Sequence, residues 1–196
     1  MNKAVFLDRD GVINEIVFHQ DVEVLDSPFN VRQVRILEGV FTAVTILNQL
    51  GYKVLVVTNQ PGAAKGKMSL ARIGEINQYI VNLASKNGAN IDQVYCCPHH
   101  PTGSLGGDMS LIKKCKCRKP GTGLLLAGID EHTIDVNKSY MVGDSISDIQ
   151  AGKAIGMTTI LVGGLKCDAR RIYEENNCLP DSVFQSLSLF VQSLKS

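Results

Sequence analysis

No apolar run in the 196-residue chain approaches the ~20 residues that a membrane-spanning helix needs. The N-terminus enters a strand-like segment at once, without the apolar stretch of a signal peptide. Excess charge of either sign is also lacking. Lys and Arg total 20 against 19 Asp and Glu, a formal charge of +1, so no broad field gathers nucleic acid or an anionic membrane. Internal repeats and low-complexity segments are absent. These absences lead us to expect a cytoplasmic, monomeric protein whose partner is a small molecule.

With 44% hydrophobic residues over 196 positions, the chain can bury a full core, and one domain over 1–196 is expected. The segment Ala4–Asn14 organises the rest: a run of Val5, Phe6 and Leu7 ends in Asp8 and Asp10, and Gly11 turns the chain away. A run apolar on both faces reads as a strand inside a parallel sheet, and such sheets carry their chemistry at the strands' carboxyl ends. One carboxylate there can attack phosphorus, and the other, two residues on, can move protons. Paired aspartates after a strand also occur as metal sites or loop caps, and the remaining motifs have to decide.

Glu15 to Ile36 shows no sustained period and reads as a long loop beside the site. Val40, Val44, Leu47 and Leu50, with Gly51 beyond, mark a helix over Glu38–Leu50. Lys53–Val57 is a second buried strand. It ends in Thr58, Asn59 and Gln60, where a hydroxyl and free N–H groups can hold a phosphoryl oxygen, or simply make a polar turn. Ser69 caps a helix with Ile73, Ile76, Ile80 and Leu83 on one face, and Val94–Cys96 is a short strand.

Four of the six cysteines, Cys96, Cys97, Cys115 and Cys117, crowd into one region, while Cys167 and Cys178 read as ordinary thiols. The loop over 97–117 is too long and polar to pack on itself. A tetrahedral Zn²⁺ on Cys97, His99, Cys115 and Cys117 would constrain it, and four such ligands leave no open position, so that metal would be structural. Cys96 would then point to the opposite face of the sheet from Cys97. Arg118 and Lys119 follow the last ligand and form a candidate phosphate clamp. After a helix from Gly123 to Ile129, the strand Tyr140–Val142 ends in Gly143 and Asp144, which can bind Mg²⁺. Asp148 lies in the first turn of the next helix, which continues over Ile149–Ile155, facing the same end or serving the helix N-terminus. The strand Thr158–Val162, the stop at Gly163 and Gly164, and a last amphipathic stretch over Leu187–Leu194 complete an α/β, doubly wound parallel sheet.

In this order, the D-R-D-G at Asp8, the strand ending T-N-Q, the Lys119 before Pro120 and the G-D-x-x-x-D at Asp144 resemble the haloacid dehalogenase (HAD) superfamily of phosphotransferases. The C-P-H-H-P and C-K-C-R-K-P pieces resemble its zinc-bearing subgroup of heptose bisphosphate and histidinol-phosphate phosphatases. The resemblance implies an aspartyl-phosphate on Asp8 and Asp10 as acid and then base. It implies Mg²⁺ on the Asp8 carboxylate, the Asp10 carbonyl and Asp144, with Asp148 behind them. Thr58, Asn59 and Gln60 would face the substrate, Lys119 would neutralise its charge, and Arg118 and Lys65 would reach further along it. Lys65 stands where that subgroup carries arginine, which puts the bidentate phosphate contact in question. The implied reaction is removal of the C7 phosphate of a heptose 1,7-bisphosphate, with histidinol phosphate as the alternative substrate. No stretch is long enough for the superfamily's large cap domains, so an open site is expected.

Overall fold

The computed structural model describes residues 1–163 and 178–195. Gly164 and Cys167 lie outside them. Six strands form one parallel sheet: β1 (Lys3–Leu7), β4 (Tyr52–Asn59), β5 (Gln93–Cys97), β6 (Tyr140–Gly143), β7 (Thr158–Val162) and β8 (Ser182–Phe184), in the order β5-β4-β1-β6-β7-β8. The helices are α1 (Val40–Gln49), α2 (Leu70–Lys86), α3 (Gly123–His132), α4 (Ile146–Lys153) and α5 (Leu187–Ser193).

The alternation of β1 explains the layering. Val5 and Leu7 point to one face, where they join Val54, Val56 and Val142 under Val44 and Leu47 of α1, Ile76 and Ile80 of α2, and Phe190 and Val191 of α5. Ala4 and Phe6 point to the other, joining Leu55, Val57 and Met141 under Leu124 and Leu125 of α3 and Ala151 of α4. Ala4 to Leu7 of β1 are thus buried, as expected of a strand covered on both sides. β1 pairs with β4 (Leu7 opposite Val56) and with β6 (Leu7 opposite Val142), so three neighbouring strands deliver their last residues to one edge.

The segment between Asn14 and Ile36 departs from the expected loop. It folds into a hairpin of β2 (Val17–His19) and β3 (Val24–Asp26), followed by a 3₁₀ turn at Val31–Gln33. His19 anchors the hairpin: its Nε2 lies 2.9 Å from the Ser27 carbonyl and its ring stacks on Phe29 at 3.6 Å. Phe18, Val22 and Leu25 remain exposed. The hairpin and the 3₁₀ turn are the elements inserted between β1 and α1, and among the described residues no large cap covers the strand ends. Among the described residues, no helix is long and apolar enough to cross a membrane.

Cys96 and Cys97 do face opposite ways. Cys97 is buried in the layer with α3, whereas Cys96 packs against Ala63, Ile73 and Leu111 on the α2 side. Cys178 is buried beside Ile149 and Leu161, an ordinary core thiol.

Candidate active site

At the carboxyl ends of β1, β4 and β6, a cavity of about 240 Å³ is lined by Asp8, Asp10, Thr58, Asn59, Lys119, Ser145 and Ser147. Ile16, Leu25, Asp26 and Ser27 of the hairpin form its outer wall. Lys119 is the electrostatic centre. Its ammonium group is buried and lies 2.9 Å from Asp8 and 2.5 Å from Asp148, and it donates to the Val57 carbonyl at 2.6 Å. A buried cation needs such partners, and the two carboxylates hold Lys119 above its ordinary range against the opposing effect of burial. Burial pushes Asp8 up from 3.8 to about 7; Lys119 opposes this, while Asp148 and Asp10 add to it.

Asp8, Asp144 and Asp148 place carboxylate oxygens within 4.8 Å of one another, a donor set that suits a hard divalent cation. Two glycines make the approach possible. A Cβ on Gly11, whose φ is +85°, would lie 2.2 Å from Asp144 Oδ2, and one on Gly143 would lie 2.2 Å from Asp148 Cβ. Asp148 serves both readings that its position allows. Besides Lys119, it accepts from the Ser145 N–H at 3.1 Å and the Ser145 hydroxyl at 2.6 Å, closing a capping box at the start of α4.

Asp10 stands apart from this cluster. Its carboxylate accepts from Arg9, from Asn14 at 2.9 Å and from Gln60 at 2.6 Å. Gln60, which the sequence suggests as a substrate contact, is 1% exposed and also donates to the Thr58 hydroxyl at 2.8 Å. It is a bracket between Thr58 and Asp10. Asn59 lines the cavity while its amide pairs with the Lys119 backbone, at 3.0 Å in each direction. Arg118 and Lys65 do not line the cavity. Arg118 donates to the His99 carbonyl at 3.3 Å, and burial, Lys65 and Arg118 together hold the His100 imidazole below its ordinary value. Both cations therefore stand near His100.

Cys97, His99, Cys115 and Cys117 converge as expected. Cys117 Sγ lies 3.2 Å from both Cys97 Sγ and Cys115 Sγ, and His99 Nδ1 lies 3.3 Å from Cys117 Sγ and 3.7 Å from Cys97 Sγ. Tetrahedral zinc at its usual bond lengths separates its sulfur ligands by about 3.7 Å. The four side chains fit such an ion, and Arg118 and Lys119 follow directly from its last ligand. His100 is not part of the group; its Nδ1 accepts from the Gly103 N–H at 3.0 Å.

Arg9, Asn14, Ser145 and the hairpin residues are features that the sequence reading missed. Ser145 carried a signal, since Ser145 and Asp148 have capping-box spacing. Arg9 carried none beyond standing between two aspartates.

The sheet, the strand-end aspartates and the buried lysine together define a HAD-like hydrolase, and the HAD-hydrolase-like family model matches residues 116–189, which carry Lys119, Asp144 and Asp148. The D-glycero-β-D-manno-heptose-1,7-bisphosphate 7-phosphatase of Vibrio cholerae is 38% identical over 185 residues, 94% of this chain and 91% of the relative. The protein of the same name from Escherichia coli K12 is 36% identical over 193 residues, 98% of this chain and 93% of the relative. Among solved structures, the D,D-heptose 1,7-bisphosphate phosphatase of B. bronchiseptica, complexed with magnesium and phosphate, superposes with a TM-score of 0.78 at 27% identity, covering 98% of each chain. The chain belongs to the family of the D-glycero-β-D-manno-heptose-1,7-bisphosphate 7-phosphatases.

Proposed function

We propose that this protein is a Mg²⁺-dependent phosphomonoesterase that removes the C7 phosphate of D-glycero-β-D-manno-heptose 1,7-bisphosphate. The observation that carries the reading is the meeting of Asp8, Lys119, Asp144 and Asp148 at one strand edge, in a chain of this family. Asp8 attacks phosphorus and the C7 oxygen leaves, giving an aspartyl-phosphate. Asp10 protonates that oxygen, then takes a proton from the water that cleaves the acyl phosphate. The Asp8 and Asp144 carboxylates, with the Asp10 carbonyl, would hold Mg²⁺, which screens an anionic nucleophile from a dianionic phosphate. Lys119 holds Asp8 in line and neutralises charge gathering on the phosphoryl oxygens, which Thr58 and Asn59 contact. Arg118 and Lys65, placed near His100, reach the second phosphate. Zn²⁺ on Cys97, His99, Cys115 and Cys117 would fix the loop that presents Arg118 and Lys119, and takes no part in the chemistry.

The test is phosphate release with Mg²⁺ from both anomers of heptose 1,7-bisphosphate, from histidinol phosphate and from fructose 1,6-bisphosphate. Strong preference for the β anomer is expected. Comparable slow turnover of all four would overturn the substrate assignment and leave a phosphatase aimed elsewhere.

A further inference from the structure

Arg9 is the largest fully buried side chain among the described residues, at 1% exposure, although it stands next to an open cleft. A guanidinium in that position is costly unless its donors are matched. They are matched in two directions. Towards the cleft, Nε and Nη2 hold the Asp10 carboxylate, with Nη2 at 3.0 Å from each oxygen and Nε at 3.3 Å from Oδ1. Away from the cleft, Nη1 donates to Asn77 Oδ1 at 2.7 Å.

Asn77 belongs to α2, whose neighbouring Ile73, Ile76 and Ile80 are buried in the core, and it does not line the cavity. It also reaches the Cys96 thiol on β5. The amide is therefore tied to a rigid helix and the edge of the sheet. Arg9 is tied to the amide, and Asp10 is tied to Arg9. Asn14 and Gln60 complete the hold on Asp10 from its other sides. Asp10 keeps 17% of its side-chain surface and lines the cavity.

We propose that Asn77 is a positioning residue for the reaction: by fixing the buried Arg9 guanidinium, it aims the Asp10 carboxylate at the oxygen that leaves. The inference rests on the reading of Asp10 as the group that protonates that oxygen. Without the Asn77 acceptor, Nη1 becomes a buried donor with no partner. The planar group then turns to find one, and a rigid fork that turns at one end moves the carboxylate held at the other.

The test compares two leaving groups. A sugar alkoxide needs the proton from Asp10, whereas p-nitrophenolate departs as the anion. For Asn77→Leu, kcat/KM on heptose bisphosphate should fall about 10- to 100-fold, the range expected when a proton donor is displaced by up to an ångström. On p-nitrophenyl phosphate it should stay within about threefold of wild type, because kcat/KM there reports a phosphorylation step that needs no acid. Asn77→Asp, which keeps the acceptor, should restore the wild-type ratio. Arg9→Lys, which keeps the charge but cannot hold both oxygens, should shift the ratio in the same direction and serves if Asn77→Leu does not fold. Equal losses on both substrates would reduce Asn77 to a structural residue and overturn the inference. So would unchanged rates on both. A wild-type protein that releases phosphate from neither substrate would overturn the phosphatase reading itself, and the inference with it.

Discussion

Asp8→Asn should stabilise the Mg²⁺-free protein while abolishing turnover, and the gain should grow with pH. In the folded chain, burial lifts the Asp8 carboxyl from 3.8 to about 7 despite Lys119 at 2.9 Å. The sign follows from proton counting. Between those two values the native state binds a proton that the unfolded chain has released, so stability falls as pH rises through that window and levels off above about 7. At full ionisation the displacement corresponds to about 4 kcal/mol, and water in the open cleft reduces this to roughly 3 kcal/mol. Asparagine carries no such cost. Urea midpoints of protein dialysed free of Mg²⁺, measured at pH 5 and pH 8, should therefore fall for wild type and hold nearly level for Asp8→Asn. Added Mg²⁺ should recover the wild type at pH 8 and do little for the variant, since a ligand stabilises in proportion to its preference for the folded chain. If both proteins show the same pH slope, or if Asp8→Asn is the less stable at pH 8, the account of Asp8 as a buried carboxylate under strain from its neighbours is wrong.

Lys119→Met removes the cation between Asp8 and Asp148. Turnover should drop about 10²- to 10³-fold and unfolding free energy by about 3 kcal/mol at pH 8, with a smaller stability loss at pH 6, where Asp8 takes up a proton; assays and melts on one preparation check both. Asp181 is held at about 2 because Lys153 and the Thr159 N–H and hydroxyl outweigh its burial, so it adds stability above pH 3.8 that is lost as pH falls towards 2. Its side chain is 43% exposed, which limits the cost of Asp181→Asn to about 1 kcal/mol at pH 7, shrinking below pH 4 in parallel urea titrations. Gently purified protein should carry one equivalent of zinc by atomic emission, and stripping it with a strong chelator should lower the melting midpoint by about 5 °C or more; less than about half an equivalent would count against the Cys97–His99–Cys115–Cys117 site.

Most of the sheet was legible because its longer strands are apolar runs closed by functional or glycine residues, whereas β8, Ser-Val-Phe, is too short and exposed to show one. Leu7 gives way to Asp8, Val57 to Thr58 and Val142 to Gly143. The convergence of Asp8, Thr58 and Asp144 could be expected from the same rule, since parallel strands end on one edge, whereas Lys119 comes from the loop before α3. The hairpin escaped notice because each of its strands has only three residues, too few to show an alternating period, and its turn depends on Glu23 at a φ of +51°. The bond from Gln60 to Asp10 was not legible because it joins residues 50 positions apart. Arg9 was invisible for a different reason. Its partner Asn77 is 68 residues away, and nothing local distinguishes a buried arginine from a solvated one.

The hairpin β2–β3 pairs with itself and with no strand of the main sheet. An ion pair between Asp26 and Lys67 latches it to the turn after β4. It nonetheless supplies four residues of the cavity wall. The outer wall and the strand-end carboxylates thus come from separate elements of the fold. A graft that exchanged residues 15–27 for a hairpin of another polarity, while keeping Asp26 to pair with Lys67 and His19 to stack on Phe29, would leave the strand-end carboxylates in register. A scaffold divided in this way offers a simple route to altered selectivity, in which a library confined to one small ribbon explores new substrates while the hydrolytic machinery is inherited unchanged.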